Sequence, residues 1–189
     1  MSTLVDRKTF LRTTLGCAAQ CLALASCPTA LKAAAPATPD DPELAKARAA
    51  IDWLAPFINR EEKNLDRAAL VKLLEERGRL CCRTLDFRQK LIHDSAGDVD
   101  KLVELMGKIV GPENCVREAD TIRLTYPMAT CGCGRSPVRA PTPDDPFCEC
   151  SKSNNRTLFE IVSGRPVQAQ VIESPRRGGQ HCRFVIQLG

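Results

Sequence analysis

Four cysteines in the second half of the chain form two closely spaced pairs, Cys131 with Cys133 and Cys148 with Cys150. An all-sulfur ligand set suits zinc, cuprous copper or an iron–sulfur cluster, and does not suit magnesium or calcium. Residues two apart on a regular strand lie roughly 6 to 7 Å apart, too far for two thiolates on one zinc ion. We therefore expect Cys131 and Cys133 on a turn, which Gly132 makes easier, and predict a soft-metal site at these four cysteines.

Two other interpretations of the same cysteines remain open. In an oxidising compartment, the eight cysteines after residue 37 allow four disulfides, which would pin the Pro-rich segment 136–146 and give a binding module without metal. Alternatively, one cysteine of the pairs is the nucleophile of a thiol-dependent hydrolase or oxidoreductase, which requires a base nearby. His93 and His181 are the only histidines, and neither is close to the pairs in sequence.

The other four of these eight cysteines are interpreted first as structural, and whether Cys81, Cys82 or Cys182 joins the site as a ligand stays open. Cys81 and Cys82 are adjacent on a predicted helix, so only one of them is expected to face the core, as a small apolar residue. Cys182 begins the inward face of a predicted strand. Cys115 follows a helix end and is predicted to be a surface or disulfide cysteine.

Residues 1–37 are predicted to be an export signal peptide. A charged segment, 6–12, is followed by an uncharged one, 15–27, and then by small residues. The charged segment resembles the twin-arginine (Tat) export motif, with Lys8 in place of the second arginine, so the Tat route is favoured over Sec. The apolar run is too short for a stable membrane span, which needs about 20 residues.

Cleavage after Ala37 would leave a linker, 38–41, ahead of the mature domain. Alternatively, cleavage before Cys27 would give a lipoprotein anchored at that residue, although Pro28 argues against it. Both interpretations place the protein in the periplasm or elsewhere outside the cytoplasm. The Tat route also favours a metal, because it exports proteins that have already folded around a cofactor.

The net charge comes mainly from the signal. Residues 1–37 hold four of the 27 Lys and Arg residues and one of the 23 Asp and Glu residues, which leaves 23 against 22 in the rest. Aromatic residues make up only 4% of the chain. The mature protein therefore lacks the basic surface and the stacking side chains typical of a nucleic-acid partner.

The hydrophobic pattern predicts a single α+β domain over 42–189, with a helical half at 42–111 and a sheet half at 116–189. Apolar residues at helical spacing predict three helices, over 42–59 with a kink or early end at Pro56, over 66–92 with an interruption at Gly78, and over 98–109. Alternation predicts strands at 121–126, 166–173 and 182–188, with a helix capped by Ser151 between the first two. We expect N-terminal helices packed on a small antiparallel sheet with one embedded helix.

Several segments carry a resemblance to known families, namely Gly78-Arg79, Asp120 to Pro127, Cys148 to Ser151, Gly164 to Val167, Glu173-Ser174, Gly178-Gly179 and Cys182 to Phe184. Together they resemble a poorly characterised family of small bacterial cysteine-containing proteins, often Tat-exported. This resemblance implies the fold and the importance of the cysteines. The last segment is also similar to the end of 4-vinyl reductase-type and 2-amino-thiazoline-4-carboxylate hydrolase-like domains. That similarity implies a ligand cavity between helices and sheet, and hence a small-molecule ligand.

Overall fold

The computed structural model describes residues 42–133 and 137–189, so the predicted signal peptide and linker lie outside the described residues. The described helices are α1 Pro42–Glu61, α2 Arg67–Thr84, α3 Asp86–Ser95, α4 Val99–Val110 and α5 Cys148–Ser163. The strands are β1 Cys115–Glu118, β2 Thr121–Tyr126, β3 Val167–Glu173 and β4 Cys182–Leu188. Most helices precede the sheet, and the predicted α+β class with one embedded helix, α5, is confirmed.

The helical half differs from its prediction at two places. Helix α1 continues through Pro56 to Glu61 instead of ending early. The predicted second helix is two helices, because the chain is extended at Leu85, which ends α2 and precedes α3. Asp66 caps α2, accepting a hydrogen bond of 2.9 Å from the backbone N–H of Ala69.

Gly78 does not interrupt α2, but it permits a close approach between α2 and α5. A Cβ atom at this position would overlap the carbonyl oxygen of Cys150 and lie 2.9 Å from the Cβ of Ser153. Glycine has no Cβ, and so it lets the two helix backbones come together. This contact places the start of α5 directly against the middle of α2.

The four strands form one antiparallel sheet in the order β1-β2-β4-β3. Strand β1 was not predicted. It contains Cys115, which is 3% exposed and lies in the core, so the prediction of a surface or disulfide cysteine was wrong. Burial alternates along β4, where Phe184, Ile186 and Leu188 face inward as expected.

The main core lies between this sheet and helices α4 and α5. Leu102 and Met106 of α4 and Leu158 and Phe159 of α5 are at most 1% exposed, and they pack with the inward side chains of β2 and β4. A second cluster joins α1 and α2 to the start of α5 and includes Cys150. Among the described helices, none combines the length and apolarity needed to cross a bilayer.

Candidate thiol site

Helix α5 begins at Cys148, with Phe147 at its N-cap, so the predicted cap at Ser151 was wrong. Cys148 and Cys150 therefore both lie in the first helical turn. Residues two apart on an α-helix point about 200° apart around its axis. The pair consequently sends its two thiols to opposite sides of α5.

The Cys150 side chain faces α2. Its thiol is hydrogen-bonded to that of Cys81, and this bond together with burial raises the pKa of Cys150 well above its ordinary value. Cys133 lies near enough for its charge to raise the same pKa further. The guanidinium of Arg77 points its Nη2 at the sulfur of Cys133 over 3.8 Å. We call Cys81, Cys133 and Cys150 the α2-side thiols.

The Cys148 side chain faces the opposite way, and its sulfur lies 3.0 Å from the Oγ of Ser174. Burial raises the pKa of Cys148, although the hydrogen bond to Ser174 partly offsets this. Burial also raises the pKa of Cys182 to about 12, and charges on Cys131 and Cys148 would raise it further. We call Cys131, Cys148 and Cys182 the sheet-side thiols.

The two predicted cysteine pairs are thus divided, each giving one thiol to each group. Cys81 and Cys182, which were interpreted as structural, complete the groups. Tetrahedral zinc with bonds of about 2.3 Å needs sulfurs about 3.8 Å apart. In the described ranges, no three Cys, His, Asp or Glu side chains are grouped closely enough to hold one ion. The four-cysteine site therefore stays a prediction, and as placed its thiols do not converge on one point.

A cavity of about 420 Å³ joins the two groups. Five of the six thiols line it, namely those of Cys81, Cys131, Cys133, Cys150 and Cys182. Its other walls are largely apolar, and no acidic residue and no histidine is found among the described residues that line it. Cys131 and Cys133 lie outside helix and strand, on a loop that also borders a second cavity of about 370 Å³.

Two buried arginines lie beside these thiols, and neither was singled out from the sequence. Arg77 and Arg88 are 3% and 5% exposed, and within the described residues neither has a carboxylate as hydrogen-bond or ion-pair partner. The Nε and Nη1 atoms of Arg77 and the Nε atom of Arg88 have no hydrogen-bond partner there. The sequence did contain a signal for the burial of Arg77. This residue lies three residues after Leu74 and four before Cys81, on the apolar stripe of α2.

The Pro-rich segment is held by a buried carboxylate. Asp145 is 1% exposed and accepts hydrogen bonds from Arg176 at 2.9 Å, Arg139 at 3.1 Å and the N–H of Phe147 at 2.9 Å. Arg176 also donates to the carbonyl oxygen of Pro137. This network fixes the segment between the cysteine pairs, and no sequence pattern had indicated it.

Two cysteines belong to neither the α2-side nor the sheet-side thiols. Cys82 and Cys115 lie in the main core, and burial raises the pKa of each to about 11. Cys81 and Cys82 are both buried, because one faces the cavity and the other the core. His93 is near the end of α3 and has a 61% exposed side chain.

Comparison with known proteins assigns no family to this chain. No protein-family model, curated protein or solved structure matches it. The resemblances seen in the sequence therefore remain predictions. What the protein does must be inferred from the thiols, the buried arginines and the cavity.

Proposed function

We propose that this is an exported protein that binds a soft metal as a thiolate cluster, either iron–sulfur or copper, through the thiols of the cavity. The observation that carries the proposal is that five thiols line one cavity whose described lining contains no acidic residue. Thiolates are the ligands that these metals prefer over oxygen donors. The ligands proposed first are Cys131, Cys133, Cys148 and Cys150, with Cys81 and Cys182 beside them; of these six, Cys148 alone does not line the cavity.

The spread of the thiols favours a cluster over a single zinc ion. One tetrahedral ion requires four sulfurs about 3.8 Å apart, whereas a cluster of several metal atoms is larger and accepts ligands from opposite sides. The α2-side and sheet-side thiols flank the cavity in that way. Cys131 and Cys133 are on a loop, and the proposal requires this loop to bring them onto the cluster.

Arg77 supplies the charge that a thiolate cluster needs. Burial disfavours thiolates, but coordination to a cation deprotonates a thiol outright. A cluster with several thiolate ligands carries net negative charge. A buried guanidinium at 3.8 Å from the sulfur of Cys133, without a carboxylate partner in the described part of the chain, offsets that charge.

The proposal is compatible with metal loading either before or after export. A Tat-type signal at 1–37 would carry the folded, loaded protein into the periplasm, whereas Sec export would require loading afterwards. The lipoprotein alternative at Cys27 changes the anchoring and not the site. These residues are outside the described part of the chain.

Metal analysis of matched cysteine variants tests the proposal. The mature protein is purified without added metal or reductant, in the absence of air, and its iron, copper and zinc are measured with its absorption spectrum. We expect several iron or copper atoms per chain, roughly two to four for an iron–sulfur cluster, and their loss in Cys133→Ala and Cys150→Ala. Cys82→Ala and Cys115→Ala are the controls, because both residues are buried thiols in the core, and they should retain the metal. Equal metal content in all four variants would refute the site.

A dithiol function is the second candidate, and the hydrogen bond between the thiols of Cys81 and Cys150 favours it. Two such thiols form a disulfide on loss of two electrons and two protons to an oxidant such as a partner disulfide. A protein without metal, in which mass spectrometry after oxidation links Cys81 to Cys150, would support this candidate. The raised pKa values of Cys148, Cys150 and Cys182 disfavour a nucleophilic thiolate at these three positions.

A further inference from the structure

A second feature of the cavity is the way in which Arg88 is held. Its Nη2 donates to the hydroxyl oxygen of Tyr126 at 3.0 Å and to the Oδ1 of Asn155 at 2.9 Å. The Tyr126 hydroxyl donates to the same Oδ1 atom at 2.7 Å. Nη1 donates to the sulfur of Met106 over 3.8 Å, and the Cζ of Arg88 lies 5.0 Å from the centroid of the Phe87 ring. All these partners are neutral, so they orient the guanidinium without neutralising it.

An oriented, buried charge of this kind is unfavourable unless something compensates it. Arginine does not lose its proton in proteins, so burial cannot neutralise it as it can a lysine. Buried charges are normally paired, yet the described residues give Arg88 no carboxylate. Arg88, Tyr126 and Asn155 all line the cavity. A molecule bound inside the cavity could therefore supply the compensating negative charge.

The rest of the wall indicates what that molecule looks like. Leu85, Phe87 and Phe184 line the cavity alongside these polar groups, and few other polar side chains do so. A pocket with apolar walls and one fixed polar group binds an apolar body and orients it by a single polar contact. One positive charge matches one negative charge, whereas a dianion would bring an uncompensated charge into apolar surroundings.

We propose that the cavity binds a small organic monoanion, with its acidic group at the Arg88, Tyr126 and Asn155 cluster and its apolar body along Leu85, Phe87 and Phe184. This site is separate from the role given to Arg77, which faces Cys133. It does not require the metal. The ligand would lie beside the thiols, within reach of whatever they hold.

Calorimetric titration with a matched pair of probes tests this site. The probes are 2-naphthoate and its neutral isostere 2-naphthamide. Charge-assisted hydrogen bonds favour the acid, so it should bind about ten- to a hundredfold more tightly than the amide. In Arg88→Met this preference should disappear. In Lys90→Met it should persist, because Lys90 is on the same helix with a 76% exposed side chain.

Further variants separate this proposal from the thiol site and from misfolding. The preference for the acid should survive removal of the metal from the wild-type protein by a chelator, so it is measured independently of the metal. Tyr126→Phe removes one oxygen and should reduce the preference without abolishing it, which keeps the test usable if Arg88→Met does not fold. Equal affinity of the wild-type protein for both probes, or no binding of either, would overturn the proposal. An undiminished preference in folded Arg88→Met would do the same.

Discussion

Replacing Gly78 with alanine tests whether the approach of α2 to α5 builds the thiol site. The new Cβ would overlap the carbonyl oxygen of Cys150, lie 2.9 Å from the Cβ of Ser153 and lie 3.0 Å from the backbone nitrogen of Asn154. Two of these three neighbours are backbone atoms, which cannot rotate away. The helices must therefore separate, by on the order of 1 Å for ordinary van der Waals contact.

Two opposing contributions set the size of the effect. Alanine favours a helix interior over glycine by about 1 kcal/mol. Overpacking a tight interior typically costs about 1–3 kcal/mol, and backbone overlap places Gly78 at or beyond the upper end of that range. We therefore expect a net loss of about 2 kcal/mol in the free energy of unfolding. For a domain of this size, that corresponds to a fall in Tm of roughly 4–8 °C.

The assay is urea unfolding followed by circular dichroism, together with metal analysis of the same samples. Separation of the helices should also break the contact between Cys81 and Cys150, so Gly78→Ala should lose metal while still folded. Gly107→Ala is the control. Gly107 lies on α4, and the three atoms nearest to an added Cβ there all belong to Pro112, at 3.2 Å or more. A Gly78→Ala protein as stable as wild type and with full metal content would refute the reasoning about this contact.

Three further predictions concern other buried groups. Asp145→Asn should destabilise the fold by about 3 kcal/mol, because it leaves Arg176 buried beside a neutral group; urea unfolding at pH 7 measures this. Burial raises the pKa of Asp145, but the hydrogen bonds from Phe147 and Arg176 outweigh it and leave the pKa below its ordinary value. Its contribution to stability should therefore be present above about pH 4 and be lost as the pH falls further, so that unfolding of Asp145→Asn varies less with pH in that range. An unchanged acid dependence would contradict this. Cys82 and Cys115, whose pKa values are about 11, should resist iodoacetamide at pH 8 in the folded protein and react in urea, as peptide mass spectrometry would show; rapid labelling of either in the fold would contradict its burial.

Much of the fold could be predicted because local patterns matched the tertiary arrangement. The Asp66 cap and the alternation along β4 follow from residues close together in sequence. Strand β1 was missed because four residues are too few to show a period. The break at Leu85 was missed because the apolar spacing continues across it, although the backbone at Leu85 is extended and the helix ends there.

The spacing of apolar residues was enough to predict the α+β class, because helices and strands have different periods. The residue order alone shows the concentration of thiols in the second half of the chain. The grouping of these thiols, in contrast, depends on the tertiary structure. Helix α5 begins at Cys148, so its turn of about 100° per residue sends Cys148 and Cys150 to opposite sides. Contacts between residues distant in sequence then add Cys81, Cys182 and the buried arginines, and no local pattern encodes such contacts.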